Sequence, residues 1–89
     1  MFKKMRGCKL SYKQQGLVRF VCLNYYDLPQ DMQHKINDLC LKCGGKYYKA
    51  LFRVLTTDIS IRYIAIEECI SETQLYRLRL RFYNEFFKT

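Results

Sequence analysis

Proline, glycine and histidine are scarce in this chain, and no acidic residue occurs before Asp27. One proline and four glycines in 89 residues leave little material for a loop-rich or disordered chain. A single histidine, no paired carboxylates with an evident pocket and no glycine-rich phosphate loop remove most routes to catalysis. The expectation is therefore a protein that is not an enzyme and carries no cofactor. No apolar run reaches the roughly 20 residues that a membrane-spanning helix needs. The basic N-terminus is not followed by the apolar stretch and small-residue cleavage site of a signal peptide. These absences predict a cytoplasmic protein with no membrane partner.

The five cysteines, Cys8, Cys22, Cys40, Cys43 and Cys69, are odd in number and form no disulfide framework, which fits a reducing compartment. Cys40-Leu-Lys-Cys43-Gly-Gly has the spacing of half a zinc ribbon, in which two thiolates share one tetrahedral metal. A second pair is missing, so no metal site is expected. Cys40 then reads as a small core residue and Cys43 as a residue near a helix end.

What the chain does have is apolar bulk and positive charge. It is 49% hydrophobic and 16% aromatic, enough for the core of one small domain spanning residues 1–89. The formal charge of +8 points to a polyanionic partner. Lys3, Lys4, Arg6, Lys9, Lys13 and Arg19 crowd the acid-free start. Residues 21–45 are near neutral, and the last half is basic again.

The hydrophobic spacing predicts an all-α bundle of about five helices. Residues 1–10 read as a basic arm, 11–45 as N-terminal helices and 46–89 as a distinct C-terminal region. Helix one runs from Ser11 to about Asp27, with Leu17, Phe20, Val21, Tyr25 and Leu28 on one side and Val18 and Cys22 widening that face. Leu28-Pro29 ends it, because the residue before proline avoids the helical region. Helix two opens at Pro29 and Asp31, buries Met32, Ile36, Leu39, Cys40 and Cys43, and stops at Gly44-Gly45. Helix three, about Lys46 to Leu55, carries Tyr47, Ala50, Leu51, Val54 and Leu55. Helix four starts after Ser60, a suitable N-cap, and turns Ile61, Ile64 and Ala65 inward. Ser71-Glu72-Thr73-Gln74 has the pattern of a capping box and opens helix five, which continues to about Phe87.

Residues 60–82, SIRYIAIEECISETQLYRLRLRF, have the parts of a helix-turn-helix. Ala65 allows the two helices to approach, Ile70 enters the core after the turn, Ser71 caps the second helix, and Leu75, Leu78 and Phe82 pin that helix down. Together with the preceding apolar helix YYKALFRVL and the spacer TTDIS, this stretch resembles the promoter-contacting, region 4-like domain of the sigma-factor family, over about residues 46–83. Small phage-encoded regulators with sigma-like domains look similar. Two positions differ from the family pattern. Cys69 stands where glycine is usual at the turn, and Glu68 stands where a leucine usually precedes it, which points to a different turn or a looser pairing of the helices.

The resemblance implies a DNA-binding transcription regulator, phage or mobile-element encoded, whose recognition helix (about 71–87) enters the major groove. On that reading Glu72, Thr73, Tyr76 and Arg77 face the bases, and Arg77 is suited to a bidentate contact with guanine. Arg62, Arg79, Arg81, Lys46 and Lys49 would hold phosphates and fix register. The plain alternative for each arginine is a solvated face. The expected partners are double-stranded DNA and RNA polymerase or another transcription protein. Helix five also has a second apolar stripe, Tyr76, Leu80, Tyr83 and Phe87, beside Leu75, Leu78, Phe82 and Phe86. Either helix one covers that side or a second subunit does, in a homodimer through helices one and five. The rival reading is a protein-interaction module in which a degenerate helix-turn-helix binds and modulates another protein.

Overall fold

A computed structural model describes residues 5–88 of the chain, and every regular element among them is helical. The order is α1 (Tyr12–Leu23), a 3-10 turn (Tyr25–Asp27), α2 (Gln30–Gly44), a second 3-10 turn (Gly45–Tyr47), α3 (Tyr48–Thr56), α4 (Ile61–Glu67) and α5 (Glu72–Phe86). The all-α bundle expected from the periodicity is what forms. Its radius of gyration, 12.1 Å, matches the value of about 12 Å that a single compact domain of this length should have.

Each boundary has a local cause. Ser11 opens α1 with a complete capping box: its side chain accepts from the Gln14 N–H, and the Gln14 side chain accepts from the Ser11 N–H. α1 ends at Leu23, four residues earlier than expected, where the Asn24 side-chain amide donates to the Phe20 carbonyl at 2.7 Å. A 3-10 turn then leads to Leu28, which is extended (ψ 154°) as the residue before proline must be. Gly45 closes α2 with φ +54°, a left-handed conformation that glycine enters at no steric cost. One 3-10 turn delays the start of α3 to Tyr48. Ser60 and Ser71 cap α4 and α5 by accepting from the N–H groups of Tyr63 and Gln74.

The core is continuous. Ile36, Leu39, Cys40 and Cys43 of α2 meet Ala50, Leu51, Val54 and Leu55 of α3, Ile64 and Ala65 of α4, and Leu75, Leu78, Phe82, Tyr83 and Phe86 of α5. Cys40 and Cys43 are therefore core side chains, and burial raises the Cys40 thiol pKa to about 12. Met32 and Tyr47, expected inside, are only half-buried.

α1 departs from the expected orientation. Its buried face is Gln15, Val18 and Cys22, while Leu17 (49% exposed) and Phe20 (67%) point to solvent. The cause is Gln15, a polar residue buried because the chain before α1 needs it. Its side-chain oxygen accepts from the Met5 N–H at 2.8 Å and its amide donates to the Leu10 carbonyl at 2.9 Å. Residues 5–10 are accordingly no free arm. They lie along α1 and α5, where the Lys9 N–H reaches the Asn84 side chain at 2.8 Å and Gly7 sits next to Leu80. Lys3 and Lys4 of the expected arm lie outside the described residues. The chain's own N-terminal segment thus covers part of the second stripe of α5: Tyr83 is fully buried and Leu80 half-buried, while Tyr76 and Phe87 stay exposed.

Candidate nucleic-acid interface

The turn between α4 and α5 places the C-terminal helix. Cys69, at φ +57°, is the one non-glycine with positive φ among the described residues. The Ile70 N–H bonds to the Ala65 carbonyl at 3.0 Å and the Cys69 N–H to the Ile66 carbonyl at 3.4 Å, the pair that defines a Schellman closure. Cysteine thus adopts the conformation in which glycine is usual, and Ile70 enters the core. Glu68 does not need to be a buried leucine, because it serves an ion pair. The Arg53 guanidinium of α3 bonds Glu68 at 2.9 Å and Glu67 at 2.6 Å. That clamp holds the end of α4 against α3 and balances two carboxylates at the unfavourable end of a helix dipole. The bonds to Glu67 and Glu68 raise the pKa of Arg53, and the Arg53 bond lowers that of Glu67.

The structure separates the nine candidate residues into four groups. Glu72, Thr73, Tyr76 and Arg77 are exposed on the first turns of α5, as expected. Glu72 accepts from the Tyr76 hydroxyl at 3.5 Å and lies in the first turn, where negative charge suits the dipole. Arg62, Lys46 and Lys49 are exposed on other elements: Arg62 on α4, Lys46 above the Tyr47 ring, and Lys49 at the rim of an apolar cavity of about 500 Å³ beside Leu41, Tyr48 and Phe52. Arg81 is exposed but donates to the Cys43 carbonyl at 3.1 Å, tying α5 to the end of α2. Arg79, expected as a phosphate contact on the surface, is drawn inward. It is half-buried, with its guanidinium 5.1 Å from the centre of the Tyr76 ring.

Thr73, Tyr76, Arg77 and Arg79 share a groove of about 1000 Å³ with two residues that no local spacing had linked to them, Arg6 and Arg19. Arg19 reaches across from α1 to the end of α3. Its guanidinium donates to the carbonyls of Val54 (2.9 Å) and Thr57 (3.2 Å) and pairs with Asp58 at 3.6 Å. A cation there satisfies carbonyls that the helix leaves unpaired. The acid-free start of the chain was the signal for this contribution, but only folding brings it to α5.

Among the described residues no helix is long and apolar enough to cross a membrane, and no three His, Cys, Asp or Glu side chains converge where a metal ion could bind. No protein-family model, curated protein or solved structure matches the chain.

Proposed function

We propose that this chain is a DNA-binding transcription regulator in which α4, the turn and α5 act as a helix-turn-helix, sigma-like in arrangement and of phage or mobile-element type. One observation carries the reading. The Cys69 turn closes as a glycine turn would, and it leaves Thr73 and Arg77 exposed at the start of α5 beside Arg6 and Arg19. An exposed helix start flanked by cations is what major-groove docking needs. Phosphate contacts by Arg62, Lys46 and Lys49 would orient the helix, Arg77 would read guanine, and a bound transcription protein such as RNA polymerase would receive the effect.

Fluorescence anisotropy with genomic fragments at two salt concentrations tests the reading. With about three phosphates neutralised, log affinity should fall against log salt with a slope of about −2.7. Arg77→Ala should cost about 1–3 kcal/mol on the preferred site and little on other duplexes. Binding that ignores salt, or no binding at all, would overturn it.

A second reading has its own observation. Leu17 and Phe20 of α1, with Tyr63 and Ile66 of α4, are large apolar side chains left at 49–70% exposure. Such surface suits a protein-interaction module, or, on its α1 part, the homodimer expected through helices one and five. Sedimentation of the free protein decides for a dimer. Partner binding that survives Arg77→Ala in a protein without DNA affinity supports the module.

A further inference from the structure

The groove beside α5 is charged beyond what its own side chains can balance. Among the described residues, four guanidiniums, those of Arg6, Arg19, Arg77 and Arg79, line it against the single carboxylate of Asp58. Asp58 is paired with Arg19 and its side chain is 91% exposed. Arg79 sits deepest in the electrostatic sense. Its Nε–H is buried with no hydrogen-bond partner, and its one ring contact is with Tyr76. Burial is the main cause that lowers the pKa of the guanidinium; Tyr83 and Tyr76 act the other way, and the positive charge of Arg19 adds a smaller lowering. A half-buried cation whose Nε–H has no acceptor and which feels the charge of a second guanidinium is costly, and an anion would relieve it.

The shape of the groove restricts that anion. It is a concavity between the N-terminal segment, the α3–α4 connection and α5. Thr73 and Arg77 are exposed to a duplex, whereas Arg79 is half-buried in the wall of the groove and is reached more readily by a small ligand. A small phosphate ester is such a ligand. Arginine forks match phosphate oxygens two at a time, and the exposed Tyr76 ring with Leu80 and Ile61 offers an apolar wall for a flat ring. The volume of about 1000 Å³ is ample for a mononucleotide.

We propose that this groove is a site for a free nucleotide, its phosphate held by Arg79 with Arg6 and its ring set against Tyr76. The site stands apart from base reading, since its central residue is Arg79 and not Arg77. Where the DNA-binding reading holds, the shared rim at Tyr76 and Arg77 makes nucleotide and duplex influence each other.

The test is a titration of the full chain with adenosine 5′-monophosphate, inorganic phosphate and adenosine at matched ionic strength, observing the arginine side-chain Nε–Hε resonances by NMR. Saturable movement of the Arg79 resonance with the nucleotide, at least about tenfold tighter than with phosphate and absent with adenosine, is the expected result. Arg79→Lys keeps the charge, loses the fork, and should weaken nucleotide binding about tenfold with the fold intact by circular dichroism. Equal affinity for phosphate and nucleotide overturns the nucleotide assignment. Linear movement shared with chloride overturns the site. If only duplex DNA moves the resonance saturably, Arg79 is a backbone contact and the free-ligand proposal fails. The two readings fail separately: nucleotide binding without DNA affinity leaves this site standing, and DNA binding lost in Arg77→Ala does not remove it.

Discussion

At the scale of single residues, Cys69 carries the most consequence. A residue with a Cβ in the left-handed region pays about 1–2 kcal/mol that glycine does not, while glycine gives up about 0.5–1 kcal/mol of chain entropy. Cys69→Gly should therefore leave the protein about 0.5–1 kcal/mol more stable, seen in urea unfolding as a higher midpoint at unchanged slope. Cys69→Val, branched at Cβ, should destabilise it. An unchanged midpoint in both variants would show that the turn opens in solution. The same residue is the exposed thiol among four others that are buried or half-buried. In the native protein a maleimide should label Cys69 rapidly and leave Cys22, Cys40 and Cys43 until the chain unfolds, which mass spectrometry of timed samples will read. Glu68 makes the complementary point. Its departure from an apolar pattern is explained by Arg53, fifteen positions earlier, and a pattern confined to one helix cannot reveal such a partner.

At the scale of elements, α1 and the segment before it depend on one side chain. Gln15 is fully buried and its two hydrogen bonds hold both ends of residues 5–10. Gln15→Leu keeps the volume but strips the Met5 N–H and Leu10 carbonyl of their partner. It should cost about 1–3 kcal/mol and speed amide exchange at Met5 and Lys9 without melting α5. If exchange at those amides stays slow, Asn84 alone anchors the segment. The apolar periodicity of α1 was misleading for a related reason. Leu17 and Phe20 sit on an apolar stripe with Val21, so they look like core residues, yet only Val21 of the three packs against the core. The helix instead turns toward the side on which Gln15 meets the segment and Arg19 meets the end of α3. In α2, α3 and α4 no such polar demand competes, and the apolar stripe and the buried face largely coincide.

At the scale of the whole molecule, the core shows itself through pH. Burial raises the thiols of Cys22 and Cys40 from 9.0 to about 12, and the Tyr83 hydroxyl from 10.0 to about 12. These acids stay neutral in the folded protein at a pH where the unfolded chain would release their protons. Their contribution to stability is complete below about pH 9 and is lost as pH rises through about 12. Melting temperature should hold steady near neutrality and fall progressively above about pH 9. In a Cys22→Ala, Cys40→Ala variant the protein should be less stable throughout, but the alkaline decline should be shallower. A decline equally steep in that variant would assign it to other groups. The sequence by itself determined the helical class, four of the five buried faces, the serine caps and the position, though not the closure, of the turn before Ser71, because these follow from periodicity and from bonds within a few residues. It also marked Thr73, Tyr76 and Arg77 as open positions at the head of the last helix. The tertiary structure alone decided which way α1 faces, that residues 5–10 are tied down, that Arg79 is drawn inward, and that Arg6 and Arg19 join it in one groove. Those outcomes depend on partners up to 75 positions apart, such as Lys9 and Asn84, and on where a buried polar group finds its hydrogen bonds once the chain has closed.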